Sequence, residues 1–303
     1  MSVTIDPTID DFLSYLALEK RYASTTLRAY QDDLLVFRDF LVVEFDVSDL
    51  LLASTVMVRS WLSSLKDGRS PLAASSIGRK LSSLRSFYKY YLKKGRITVS
   101  PVAQLSAPKA AKRLPVYLEE KQAKQLLLNT SSGDGWKGWT TKLVMAIFYQ
   151  TGMRLSELVN LQHQQIDPYQ KNLRVWGKGG KERIIPIQPA LIDLIREYEE
   201  NKKRDWGSFE LKDQLLVTEK GKPVYPKYIY RLVRSYLAEL TTLKKKSPHV
   251  LRHSFATHLL NEGAELNAVK ELLGHASLAA TQVYTHNTIG KLKEVHKKAH
   301  PKG

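Results

Sequence analysis

Residues 106–115, Ser-Ala-Pro-Lys-Ala-Ala-Lys-Arg-Leu-Pro, interrupt this chain with a segment that no hydrophobic core would take in. The segment is polar, basic, bounded by prolines and without periodicity, which is the composition of a linker. The stretches on either side, 1–105 and 116–303, are each long enough to bury a core of their own. Charge divides unevenly about this break. Residues 1–110 hold 15 Lys and Arg against 11 Asp and Glu, or +4; residues 111–303 hold 32 against 19, or +13. A net charge of +17 points to a polyanionic partner, nucleic acid first, because phosphate contacts release counterions.

Before the break the apolar residues recur at helical spacing. Helices are predicted over 10–22, 25–43, 60–65 and 75–94. The last has Ile77, Leu81, Leu84, Phe87, Tyr88 and Tyr91 on one face and Arg79, Lys80, Arg85, Lys89, Lys93 and Lys94 on the other. A charge run is usually a solvated face, yet a run of one sign repels itself unless something anionic lies near. After the break, helices are predicted over 118–129, 138–150, 156–161, 189–203, 226–241, 250–262, 265–273 and 277–284. The only clear β region is 172–176 and 182–187, two β-branched runs flanking Gly177-Lys178-Gly179-Gly180-Lys181, the pattern of a hairpin. The expected fold is mainly α, with a small antiparallel β-sheet in the second domain.

Composition removes several classes of function. There is no cysteine, hence no disulfide, thiolate metal site or cysteine nucleophile. The opening MSVTIDPTIDDF has no basic stretch followed by an apolar run, and no segment approaches the roughly 20 apolar residues of a membrane span. A soluble protein of the cytoplasm, without membrane partners, is the expectation.

Four segments of the second domain can carry chemistry. In Thr151-Gly152-Met153-Arg154-Leu155-Ser156-Glu157, glycine lets the chain turn between two helices. Arg154 then opens the second helix, with Glu157 one turn on. That is either a surface ion pair or a guanidinium fork presented to phosphate. Lys178, on the glycine-rich turn, can reach into a groove as proton donor or phosphate contact. No G-x-x-x-x-G-K-[ST] loop is present. In Ser247-Pro248-His249-Val250-Leu251-Arg252-His253, serine suits a helix cap and proline its first turn, and His249 and Arg252 share a face at a helix N-terminus. His249 and His253 have a metal-like i, i+4 spacing, but no carboxylate accompanies them, so no metal is expected. Last come Gly274-His275 and Tyr284-Thr285-His286. A phenol is a poor nucleophile until cations stabilise its anion. Arginines, a lysine, histidines and a tyrosine together suit in-line displacement at a phosphodiester.

The order and spacing of TGMRLSEL, GKGGKER, HVLRHSFATHLL, LGHASLAATQVYTH and the closing HKKAHP resemble the tyrosine recombinase (phage integrase) family, and within it Xer-like site-specific recombinases. The resemblance spans nearly the whole chain; Met153, where leucine is frequent, is a small departure. It implies an N-terminal helical core DNA-binding domain and an α+β catalytic domain that together clamp DNA, with a C-terminal exchange tail. Arg154 and Arg252 would clamp the scissile phosphate, and Glu157 would orient Arg154. Lys178 would protonate the leaving 5′ oxygen, His249 would assist proton transfer at the tyrosine, and His275 would contact a phosphate oxygen. Tyr284 would attack, leaving a 3′-phosphotyrosyl link. Arg79, Lys80, Arg85 and Lys181 would contact DNA. No ATP, metal or other cofactor is implied. The implied partners are duplex DNA with a specific site, further subunits in a homo- or hetero-tetramer, and a DNA translocase. No arm-binding domain of the kind larger phage integrases carry is read before the helical domain. Resolution of chromosome or plasmid dimers is the leading expectation. The alternatives are a mobile-element integrase, a type IB topoisomerase-like enzyme and a non-catalytic DNA-binding protein.

Overall fold

The computed structural model describes residues 6–68, 70–108, 116–128, 135–177, 182–210 and 212–274. The chain divides into two compact units, 1–113 and 114–303.

The first unit is helical: α1 (Pro7–Leu18), α2 (Ser24–Phe45), α3 (Thr55–Asp67) and α4 (Ala74–Lys93), with a 3₁₀ turn at Leu50–Leu52. Local chemistry sets the ends. The Asp6 carboxylate accepts from the amides of Thr8 and Ile9, and Pro7 occupies the first turn, where its missing N–H costs nothing. Helix α3 is longer than the predicted 60–65. Its first turn carries the exposed Val56, which blurs the apolar stripe, while Ser54 caps it. The core is aromatic. Phe12 meets Phe87 edge to face at 5.5 Å, and Phe37 lies 4.8 Å from Trp61. All six predicted inner residues of α4 are buried.

The basic face of α4 has its own anion. Asp33, on α2 and 1% exposed, accepts from Arg79, from Lys80 Nζ at 2.9 Å and from Ser83 Oγ at 2.7 Å. A carboxylate this deep is tolerable only when paired and hydrogen-bonded. The Arg85 guanidinium donates to the Leu105 carbonyl, and Lys94 pairs with Asp11 at 2.7 Å. Much of the predicted charge run therefore ties this unit together.

The second unit contains α5 (Glu120–Leu128), α6 (Trp136–Thr151), α7 (Leu155–Val159), α8 (Pro189–Trp206), α9 (Pro226–Leu240), α10 (Pro248–Asn261) and α11 (Leu266–Leu273). Its sheet has three antiparallel strands in the order β1 (Ile166–Asp167), β2 (Asn172–Trp176) and β3 (Glu182–Pro186). The β2–β3 register pairs Leu173 with Ile185 and Val175 with Arg183. Strand β1 adds one pairing to the predicted hairpin. Two residues are too few to show alternation. Helix α6 is buried nearly all round and forms the centre of this core, packed by α8, α9 and α10. The predicted helix 277–284 lies outside the described residues. No described helix is long and apolar enough to cross a membrane.

Candidate phosphate-binding active site

Two glycines in the left-handed region bring the site together. Gly152 ends α6 at φ +59°, and Gly274 ends α11 at φ +63°. A side chain at Gly152 would be strained by that φ. Its Cβ would also stand 2.4 Å from Phe255 Cδ1 and 2.9 Å from Leu273 Cδ2. Gly152→Ala should therefore cost about 2–4 kcal/mol of stability, the sum of left-handed strain and overpacking. The midpoint of urea unfolding reads this; an unchanged midpoint would contradict the close packing of α6, α10 and α11.

The turn at Gly152 delivers Arg154 to the N-cap of α7, and Glu157 folds back on it. Glu157 Oε2 accepts from the Arg154 amide at 2.7 Å, and Oε1 from Arg154 Nη1 at 2.8 Å. Arg183, from β3, takes the same carboxylate from the other side. Its Nη1 donates to Oε1 at 2.9 Å and its Nη2 to Oε2 at 2.7 Å. The side chains of Glu157 and Arg183 are each 5% exposed, while that of Arg154 is 31% exposed. Burial pushes the Glu157 carboxyl up; the bonds from Arg183 and Arg154 outweigh it and hold the group below the ordinary carboxylate value.

Arg252, on α10, completes the cluster. It donates to the carbonyl of Gly152 and, through Nη2, to that of Leu273 at 2.6 Å. Burial, and then the neighbouring Arg154, hold it below the usual arginine value, at about 10, so it stays cationic at neutral pH. The end of α11 is the common anchor. Its three successive carbonyls go to three arginines: Leu272 to Arg183 Nε at 2.8 Å, Leu273 to Arg252, and Gly274 to Arg154 Nη2 at 2.7 Å. The negative end of a helix favours such cations. Three guanidiniums then face one carboxylate among the described residues, leaving positive charge for an anion.

Among the other sequence-predicted residues, His249 lies exposed in the first turn of α10. Ser247 occupies the N-cap of that helix without a side-chain capping bond. His253 stands beside Tyr117, ring centres 6.2 Å apart. The third histidine of the segment, His258, is structural: buried, with Nδ1 2.9 Å from Tyr149 Oη and Nε2 2.8 Å from the Leu118 carbonyl. Arg79, Lys80 and Arg85 belong to the first unit and to the pairs described above. Lys178, Lys181, His275 and Tyr284 lie outside the described residues.

Arg183 is the site residue that motif reading missed. A signal for it exists, because side chains alternate along a strand. Arg183 has the same parity as Ile185 and Ile187, both buried, so an inward arginine was readable from the pattern.

The phage integrase family model matches residues 116–290, and the phage integrase N-terminal SAM-like domain matches residues 9–95. The chain belongs to the phage integrase family. Tyrosine recombinase XerC of Halalkalibacterium halodurans is 35% identical over the full length of both chains. Its namesake in Pelobacter propionicus is 37% identical over 96% of this chain and 94% of the relative. Among solved structures, the XerH site-specific recombinase in its post-cleavage complex with palindromic difH substrate superposes with a TM-score of 0.70. That match has 24% identity and covers 97% of this chain and 89% of the other. A lambda integrase dimer bound to a COC′ core site gives 0.68 at 18% identity, over 92% and 98%. At these identities the two structures are relatives in fold.

Proposed function

We propose that this phage integrase family member is a site-specific recombinase that cuts and rejoins duplex DNA through a transient bond from Tyr284 to a 3′ phosphate. The observation that carries the reading is the surplus of positive charge at the end of α11. Arg154, Arg183 and Arg252 surround the single carboxylate of Glu157. Two of the three, Arg154 and Arg252, are the motif arginines, and each gives only two of its five side-chain N–H groups to acceptors among the described residues. A phosphodiester oxygen is a fitting acceptor for the remainder.

In this reading the Tyr284 oxygen forms the new bond to phosphorus as the bond to the 5′ oxygen breaks. The phenolic proton leaves with help from His249, and Lys178 supplies a proton to the departing 5′ oxygen. Arg154, Arg252 and His275 hold the charge on the non-bridging oxygens. Attack by another 5′ hydroxyl reverses the chemistry on a new strand. One phosphoester replaces another, so neither ATP nor a metal cofactor enters the balance.

Residues 1–105 would serve as the core DNA-binding domain, 106–115 as linker and 116–303 as catalytic domain with an exchange tail. Arg79, Lys80, Arg85 and Lys181 remain candidate DNA contacts; the Asp33 pairing leaves Arg79 half exposed. A lambda integrase tetramer bound to a Holliday junction is among the fold relatives. A homo- or hetero-tetramer on DNA is the corresponding proposal here, with a DNA translocase as a further partner. The relatives named tyrosine recombinase XerC support the Xer-like reading; chromosome or plasmid dimer resolution is the role proposed, with mobile-element integration as the alternative. The place of work would be the cytoplasm.

A plasmid carrying two direct copies of the sequence that the full-length protein selects from random duplexes tests the reading, with a paralogous recombinase present in a parallel arm. Resolution into two circles is expected in at least one arm. Binding without resolution or strand cleavage in both would leave a DNA-binding protein instead.

A further inference from the structure

We propose that Arg183 is a positioning residue for strand transfer: it fixes Glu157 behind Arg154 and ties strand β3 and the end of α11 to the same point, so that Arg154 is aimed at the phosphate. The inference rests on the recombinase reading above. All three nitrogens of its guanidinium are engaged, Nε with the Leu272 carbonyl and Nη1 and Nη2 with the two Glu157 oxygens. The side chain is buried at 5% exposure, so its fork points at Glu157 and away from solvent. Arg154 shares that carboxylate but is several times more exposed. The two arginines thus divide the work around Glu157, one anchoring and one presented.

Three elements meet through this one side chain. Strand β3 follows directly in sequence on the segment that holds Lys178 and Lys181. Glu157 belongs to α7, whose N-cap is Arg154. Leu272 lies in the last turn of α11, just ahead of Gly274 and His275. A fork with two parallel bonds fixes orientation as well as distance, and lysine cannot reproduce it.

The arrangement also gives the role a signature distinct from mere folding. Arg183 makes the strongest of the contributions that hold the Glu157 carboxyl down against its burial. Without Arg183 that burial is less opposed, so Glu157 takes up a proton at higher pH than in the wild type and releases Arg154. The charged groups acting on Glu157 among the described residues are Arg154 at the start of α7, Arg183 on β3 and Arg252 on α10. The deficit is read as a ratio to wild type at each pH, so groups common to both proteins divide out and a widening belongs to Glu157.

The test is single-turnover cleavage of a nicked duplex bearing the selected sequence, by full-length wild type, Arg183→Met and Arg183→Lys, from neutral pH down toward the carboxylate range. Outer groups that orient metal ligands matter at about 10- to 100-fold, and the same range is taken for a group that orients Arg154. Arg183→Met should bind the duplex within about 2-fold of wild type and cleave it about 10- to 100-fold more slowly. The deficit should widen as the pH falls. Arg183→Lys, with one charge and no fork, should lie between, and carries the test if the methionine variant does not fold. Cleavage by the variants at the wild-type rate, or a deficit constant across pH, would overturn the inference and leave the recombinase reading standing. A wild type that forms no covalent adduct would overturn the reading, and the inference with it.

Discussion

Arg252→Met should reduce DNA cleavage by about 1000-fold while changing stability by less than about 2 kcal/mol. The two halves of this prediction have different causes. Arg252 is a buried cation with two other arginines near it and, among the described residues, Glu157 to offset them. Removing a charge from such a place relieves desolvation and repulsion. Against this, the carbonyls of Gly152 and Leu273 each lose a donor, at a cost of about 1–3 kcal/mol. The opposing changes nearly cancel in the fold. They would not cancel in the proposed reaction, where a fixed guanidinium would stabilise charge as it grows on the phosphate oxygens. Methionine keeps the apolar stem in place, so the comparison isolates the charge. Parallel measurements of thermal unfolding and single-turnover cleavage separate the two. A large loss of stability matched by an equal loss of rate would make Arg252 a structural residue.

The stability of the second unit should carry the mark of Glu157 as well. A carboxyl held below its ordinary value contributes stability above that value, and loses it as the pH falls through the folded one. Acid unfolding is the expected direction.

Much of this was legible in the sequence because it is local. Helix periodicity placed α2, α4 and α6, and the division of the chain after residue 113 falls inside the proline-bounded basic stretch. The i, i+3 spacing of Arg154 and Glu157 put them on one another, and the glycine between α6 and α7 announced a turn. Other features are not local. The carbonyls that hold Arg154 and Arg252 are backbone groups 120 and 21 residues away, and no residue type signals them. Asp33 lies 46 residues before Arg79, so the basic face of α4 read as unpaired. Strand β1 was too short for its alternation to show. Arg183 was obscured by its company, one of two adjacent charges at the head of a β-branched run whose neighbours suggested only a strand.

The largest single effect expected is that of Tyr284→Phe, which removes one oxygen and leaves the ring. In the proposed step the loss of the nucleophile would not be shared out among its neighbours. Fold, DNA affinity and the arginine cluster should be preserved, and covalent chemistry should vanish. The direct measurement is trapping on a duplex nicked beside the cleavage point, in chelator and without added divalent metal, followed by proteolysis and mass spectrometry of the adduct. Wild type is predicted to yield a peptide carrying a 3′ phosphate on Tyr284, and Tyr284→Phe to yield no adduct. An adduct that persists in Tyr284→Phe, maps to another residue, or forms only with magnesium would contradict the account.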